Sequence, residues 1–103
     1  MLLLHMAENI NERAAELRMR LSINLKVLRG KLGMSQEALA ERAGIHRTHI
    51  SQLERRILNP GLDTLVVIAA ALGVEEVDLL AVPTEAPEPV HRGPPKAGSG
   101  SRK

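Results

Sequence analysis

The sequence predicts an all-α fold, and three of its features carry that expectation. The 103 residues include no Phe, Trp or Tyr, so any core has to be assembled from aliphatic side chains. Such a core suits helices packed on helices better than a β-sandwich. Apolar residues recur at steps of three and four instead of two. Glycine, proline and serine then punctuate those stripes where helices would have to start or stop. A chain of this length has room for one small core.

Taken in order, Ile10, Ala14, Leu17, Leu21, Leu25, Leu28 and Leu32 trace one face of a first helix, which is either continuous or broken near Ser22. Met6 to Leu21 keeps step with this face and is expected to be helical, with Glu12, Arg13, Glu16 and Arg18 placed for supporting pairs. Gly33 stops it. Ser35 has N-cap chemistry for a second helix that carries Leu39, Ala40 and Ala43 inward and closes at Gly44. A third begins near His46 and buries Ile50 and Leu53. Asn59-Pro60-Gly61 is a turn, Leu62 to Leu72 a fourth helix ended by Gly73. A fifth is expected from about Glu75 to Ala81, with acids in its first turn, where the helix dipole favours them. Pro83 ends it. From Pro83 onward five prolines and three glycines leave little to bury, so the segment is expected to be disordered. The chain thus divides into a helical extension (1–20), a folded domain (21–82) and a Pro/Gly-rich tail (83–103).

Several function classes lose support at once. The absence of cysteine excludes a disulfide scaffold, a Cys-type zinc site and a thiol nucleophile. His46 and His49 have metal-ligand spacing but no evident third ligand, and read better as a cap and a partly buried packing residue. Ser51, Asp63 and the histidines form no nucleophile–base arrangement, so neither catalysis nor a cofactor is expected. Apolar runs such as Leu65 to Leu72 fall short of the roughly 18 residues of a membrane helix, and the N-terminus lacks a secretory pattern. A cytoplasmic location without membrane attachment is the expectation. The net charge of +2 hides a polarity: Arg13 to Arg56 holds ten Lys or Arg against four acids, whereas Ile57 to Val82 holds four acids and no base. That split suits a polyanion-binding face and a separate second face.

The informative stretch is Gln36 to Leu53, two short helices joined by a tight turn at Gly44, the form of a helix-turn-helix. With Ile50 and Leu53 inward, helical geometry turns Arg47, Thr48, Ser51, Gln52 and Arg55 outward. Every one can hydrogen-bond, and none is acidic. An ordinary solvated face would mix Glu with Lys.

In these residues the chain resembles the phage-repressor and Cro family of helix-turn-helix DNA-binding domains, the xenobiotic-response-element (XRE) class. The likeness runs from Leu21 to Leu80 through Leu32-Gly33-Met34-Ser35-Gln36, Leu39-Ala40, Ala43-Gly44-Ile45, Ile50-Ser51-Gln52-Leu53-Glu54, Asn59-Pro60, Thr64-Leu65 and Ile68 to Gly73. His46 to Ser51 also looks like the recognition helix of restriction–modification controller proteins, which usually carry an aromatic where His49 stands. The resemblance implies a five-helix, lambda-repressor-like domain that binds double-stranded DNA and regulates transcription. It places Arg47, Thr48 and Gln52 at base-reading positions, with Ser51 beside them as a further base-reading candidate, and Gln36 at a phosphate; Ser35, His46 and Arg55 are the other phosphate candidates. It also pairs Arg29 with Glu54, and has Arg56 where the family usually has glycine. One such helix reads few bases, so a homodimer is expected, with Val77, Leu79, Leu80 and Val82 as interface candidates on the acidic side. An antitoxin-type autoregulator and a helical protein-interaction adaptor are the alternatives, with RNA polymerase or a toxin open as further partners.

Overall fold

A computed structural model describes residues 2–88, with side chains from residue 9 onward. The expectation of a disordered tail therefore lies, from residue 89 on, outside the described residues. Five helices follow in order: α1 (Leu2–Leu32), α2 (Gln36–Ala43), α3 (Arg47–Glu54), α4 (Leu62–Leu72) and α5 (Glu76–Leu80). There is no strand among the described residues.

α1 is a single helix of 31 residues, about 46 Å long at 1.5 Å per residue. Ser22 does not break it. That side chain is fully buried, and its hydroxyl donates to the Glu54 carbonyl at 2.7 Å, so its polar group serves the next layer and leaves its own helix undisturbed. No element boundary falls at residue 20. Ser35 caps α2: its Oγ accepts from the Ala38 N–H at 2.9 Å. α2 ends at Gly44, whose φ of 74° an L side chain would resist. The Ile45 N–H reaches back to the Ala40 carbonyl at 3.0 Å to complete the cap. α5 is one residue shorter at each end than expected. Glu75 and Asp78 form a reciprocal capping box at its start, and Ala81 is already extended.

The core gathers Leu21 and Leu25 from α1, Leu39 and Ala40 from α2, Ile50 and Leu53 from α3, Leu65, Ile68, Ala69, Ala71 and Leu72 from α4, and Leu79 from α5. Leu79 corrects the sequence reading. Expected at a dimer surface, it is 0% exposed and is the fully buried anchor of the short α5 in its own protomer, with Leu80 partly buried against the same core. α5 is also tied to α1 through its frayed end. Asn24 Nδ2 donates to the carbonyls of Leu79 and Ala81, both at 2.9 Å, which satisfies groups that a helix C-terminus leaves open.

The two ends of α1 live in different surroundings. Its C-terminal half is packed on by α3 and α5. Its N-terminal part projects beyond the domain, with Ile10 62% exposed, and among the described residues the first polar tie to another element is at Arg18, which donates to Asn59 Oδ1 at 2.9 Å. After α5 the chain runs back beside α1: Glu85 pairs with Lys31, and Pro87 and Glu88 border a cleft together with Lys26, Gly30 and Arg55. No helix among the described residues is long and apolar enough to cross a membrane.

Candidate nucleic-acid interface

α2, the turn at Gly44 and α3 carry the DNA-contact candidates selected from sequence, and Gln36 and Arg55 border one cleft. α3 buries Ile50, Leu53 and Glu54. Arg47 and Thr48 are exposed in its first turn, Ser51 and Gln52 are half-buried further along, and Arg55 is exposed just past its end. Glu54 is the only acid in α3, and it points inward at 4% exposure, so the outward face carries no negative side chain. His46 occupies the N-cap without a side-chain cap bond. His49 differs from expectation: it is exposed, because Ile50 and Leu53 fill the contact with α1 and α2 and no described residue covers the flank on which His49 stands.

The orientation of α3 is fixed by one buried carboxylate. Arg29 on α1 grips Glu54 with two bonds, Nε to Oε2 at 2.6 Å and Nη2 to Oε1 at 2.8 Å. Gln36 Nε2 donates to Oε1 at 3.0 Å, and Arg29 Nη1 donates to the Met34 carbonyl at 2.8 Å. A buried ion pair recovers its desolvation cost only when its geometry is good and its remaining positions are filled. Here the carboxylate receives three side-chain donors. The expected Arg29–Glu54 pair is thus present, and it joins α1, α2 and α3 at one point.

The phosphate-side candidates are placed less uniformly. Gln36 sits half-buried at the start of α2, and its amide N–H faces Glu54, which leaves the amide oxygen and the second N–H for anything outside. Ser35 is exposed and uses Oγ as the cap acceptor, so its O–H remains a donor. Arg55 lines a cleft with Lys26, Arg29, Gln36 and Glu54. Lys26 was not singled out from sequence; on a long helix with several cations, nothing in the spacing distinguishes it. Other basic residues are spent within the fold: Arg42 donates to the Ala71 carbonyl at 3.4 Å, and Arg20 to Glu16 and to the Leu80 carbonyl. No side-chain hydrogen bond or ion pair among the described residues engages Lys26, Arg47, Arg55 or Arg56.

Arg56 has a φ of 65°, the only non-glycine residue with positive φ among the described residues. The backbone makes a left-handed turn here, the conformation glycine adopts most readily: the Arg56 N–H meets the Leu53 carbonyl at 3.1 Å, and the Ile57 N–H meets the Gln52 carbonyl at 3.1 Å. Of the dimer candidates, Val77 and Val82 are 73% and 64% exposed, and Leu80 is half-buried. No group of three or more His, Cys, Asp or Glu among the described residues is disposed to hold a metal.

This arrangement is that of a helix-turn-helix domain, and the chain belongs to the helix-turn-helix (HTH_3) family, whose model matches residues 25–79. The phage-repressor and controller-protein resemblance read from the sequence stands. A hypothetical transcription factor of Neisseria meningitidis serogroup B is 41% identical over 70 residues, covering 68% of this chain and 66% of that protein. Control protein C.BamHI of Bacillus amyloliquefaciens is 50% identical over 50 residues, covering 48% and 62%. The chain therefore spans just under two thirds of these two relatives' lengths. The crystal structure of the restriction-modification controller protein C.AhdI from Aeromonas hydrophila superimposes with a TM-score of 0.58 at 32% identity, over 60% of this chain and 94% of that one.

Proposed function

We propose that this protein is a cytoplasmic, sequence-specific regulator of transcription that binds double-stranded DNA as a homodimer. The observation that carries the reading is the outward face of α3, made only of hydrogen-bonding side chains with no acid and held rigidly on α1 and α2 through Glu54. A helix of this kind enters the major groove with its first turn toward base edges. Arg47 suits the O6/N7 edge of guanine, Gln52 suits adenine, and the Thr48 methyl can touch thymine, with Ser51 beside them. Ser35, Gln36, His46 and Arg55 flank this face and serve phosphates, which fix position without reading sequence. The DNA-binding unit is residues 21–82, flanked by the extension 1–20 and the tail 83–103. Two-fold pairing through Val77, Leu80 and Val82 sets two reading helices about 34 Å apart, one turn of DNA, on a palindromic or near-palindromic operator.

Selection of bound sequences from a random duplex pool, followed by salt titration of the selected site, tests this. Two inverted half-sites one turn apart should emerge, with affinity falling by about 0.9 log units per released phosphate counterion for each log unit of salt. An unenriched pool, or binding indifferent to salt, would favour a protein-interaction adaptor that has kept the fold alone.

A further inference from the structure

We propose that the projecting N-terminal part of α1 docks on α5 of a second copy of this chain, so that two protomers exchange arms. The proposal rests on the homodimer reading and deepens it by naming the second half of the interface.

The arm presents a surface that α5 already recognises. Along α1, Ile10, Ala14, Leu17, Leu21, Asn24 and Leu28 follow one another at steps of four, three, four, three and four, a seam of the kind that meets a partner helix. The same spacing reaches back in the sequence to Ala7 and Leu3. Within its own protomer α5 covers the later part of this seam, where Asn24 holds the Leu79 and Ala81 carbonyls and Arg20 reaches the Leu80 carbonyl. The earlier part is open: Ile10 is exposed, Ala14 and Leu17 are only partly buried, and with Asn9 and Arg13 they line a shallow apolar depression to which no other element contributes among the described residues.

Charge selects the occupant. The seam is bordered by Arg13, Arg18 and Arg20. Arg20 is held by Glu16 and the Leu80 carbonyl and Arg18 by Asn59, so Arg13, 3.5 Å from Glu16 with 58% of its side chain exposed, is the cation beside Ile10 most open to a partner. Two such arms side by side in parallel would set Arg13 of one against Arg18 of the other, which disfavours arm-on-arm pairing. The outward side of α5 has the complementary chemistry: Val77 is 73% exposed between Glu76 and Asp78, Glu75 precedes them, and Val82 follows at 64% exposure. Area points the same way. A stable interface buries about 800 Å² per partner, more than Val77, Leu80 and Val82 can supply from a five-residue helix and its exit. The stretch from Leu2 to Leu17 adds a helix about 24 Å long. A two-fold arrangement with the arms antiparallel carries Ile10 of each copy onto the outward side of the other copy's α5, at Val77, and not onto the seam that α5 already covers. The contact is then reciprocal, as a two-fold dimer requires.

The chain has no cysteine, so introduced thiols report cleanly. Full-length Ile10→Cys and affinity-tagged Val77→Cys proteins, both changed at exposed positions, are mixed and oxidised, and the disulfides are read on a non-reducing gel. The mixed Ile10–Val77 disulfide is expected to dominate. In parallel, sedimentation of Ile10→Asp should give a dimer dissociation constant at least about tenfold weaker than wild type, with helicity retained. Self-linked Ile10→Cys without the mixed product would overturn the proposal in favour of arm-on-arm pairing. A wild-type dimer that Ile10→Asp weakens less than about twofold would remove the arm alone and leave the dimer reading intact. A wild-type protein that stays monomeric at tens of micromolar would sink the dimer reading itself, and arm exchange with it.

Discussion

Glu54→Ala is the substitution that tests the architecture most directly. The change removes the acceptor of three side-chain hydrogen bonds, two from Arg29 and one from Gln36, and leaves the Arg29 guanidinium in a site where only 17% of its side chain is exposed. Breaking a buried pair by deleting one partner costs about 3–5 kcal/mol. The bond from Arg29 Nη1 to the Met34 carbonyl survives and the guanidinium keeps some access to water, so the lower end, about 3 kcal/mol, is expected. A chain of 103 residues has about 5–15 kcal/mol of total stability, so the loss is a large fraction of it. Removing both charges together, as Arg29→Met with Glu54→Leu, leaves no stranded ion and should recover most of the loss, to within about 1–2 kcal/mol of wild type. With no Trp or Tyr to report, urea unfolding followed by far-ultraviolet circular dichroism is the assay, and the midpoint should shift without a change in slope. If Glu54→Ala stays within about 1 kcal/mol of wild type, or if the double variant loses the sum of the two single losses, the carboxylate is not the joint described here.

Three further outcomes follow from the same structure. Arg47→Ala should cost about 1–3 kcal/mol per half-site and relax preference at one base pair, whereas Gln36→Ala should weaken all sequences alike with little change in salt slope; competition binding with single-base operator variants separates the two. Arg56→Gly should relieve about 1 kcal/mol of left-handed strain, partly offset by a freer unfolded chain, and so raise the melting temperature by up to a few degrees; a lower melting temperature would contradict the strain argument. The Arg20 hydrogen bond and charge hold the Glu16 carboxyl below its ordinary pKa, with Arg13 adding to this. A depressed folded-state pKa gives stability that is complete above the unfolded value and lost as pH falls through the folded one. The helicity of the arm should therefore fall on acidification below the usual carboxylate range, and Glu16→Gln should remove that response.

Most of the fold was legible because its signals are local. The stripes at Leu21 and Leu25, the Ser35 cap and the turn at Gly44 each depend on residues a few positions apart, and each falls where the spacing put it. What could not be read depends on contacts between distant segments. Ser22 looks like a break in a helix stripe, and becomes an interior residue only because the Glu54 carbonyl, 32 positions away, arrives to accept its proton. Leu79 and Val77 are equally apolar neighbours on a helix too short to show a period. Only the presence of α1 and α4 decides that one is covered and the other left in water. His49 failed for the converse reason: helical geometry gives a residue's angle, and not whether another element stands opposite it. At the candidate site, the outward placement of Arg47, Thr48 and Arg55 followed from local geometry. The engagement of Gln36 with Glu54 required the packing of α2 on α3, and the position of Lys26 beside both required that of α1 on α3.

The continuity of α1 makes it a lever. It contains no proline, and no glycine before Gly30, so nothing in it invites a kink. A rod about 46 Å long that tilts by about 5° displaces its far end by about 4 Å, close to the 3.4 Å rise of one base pair. The Glu54 joint links α1 to α3 with no flexible segment in between. On the proposed reading, in which α3 enters the groove and a second copy holds the arm, small changes at the arm would become whole-base-pair errors at the groove, and tolerance of half-site spacing would be set by the stiffness of a helix that touches no base.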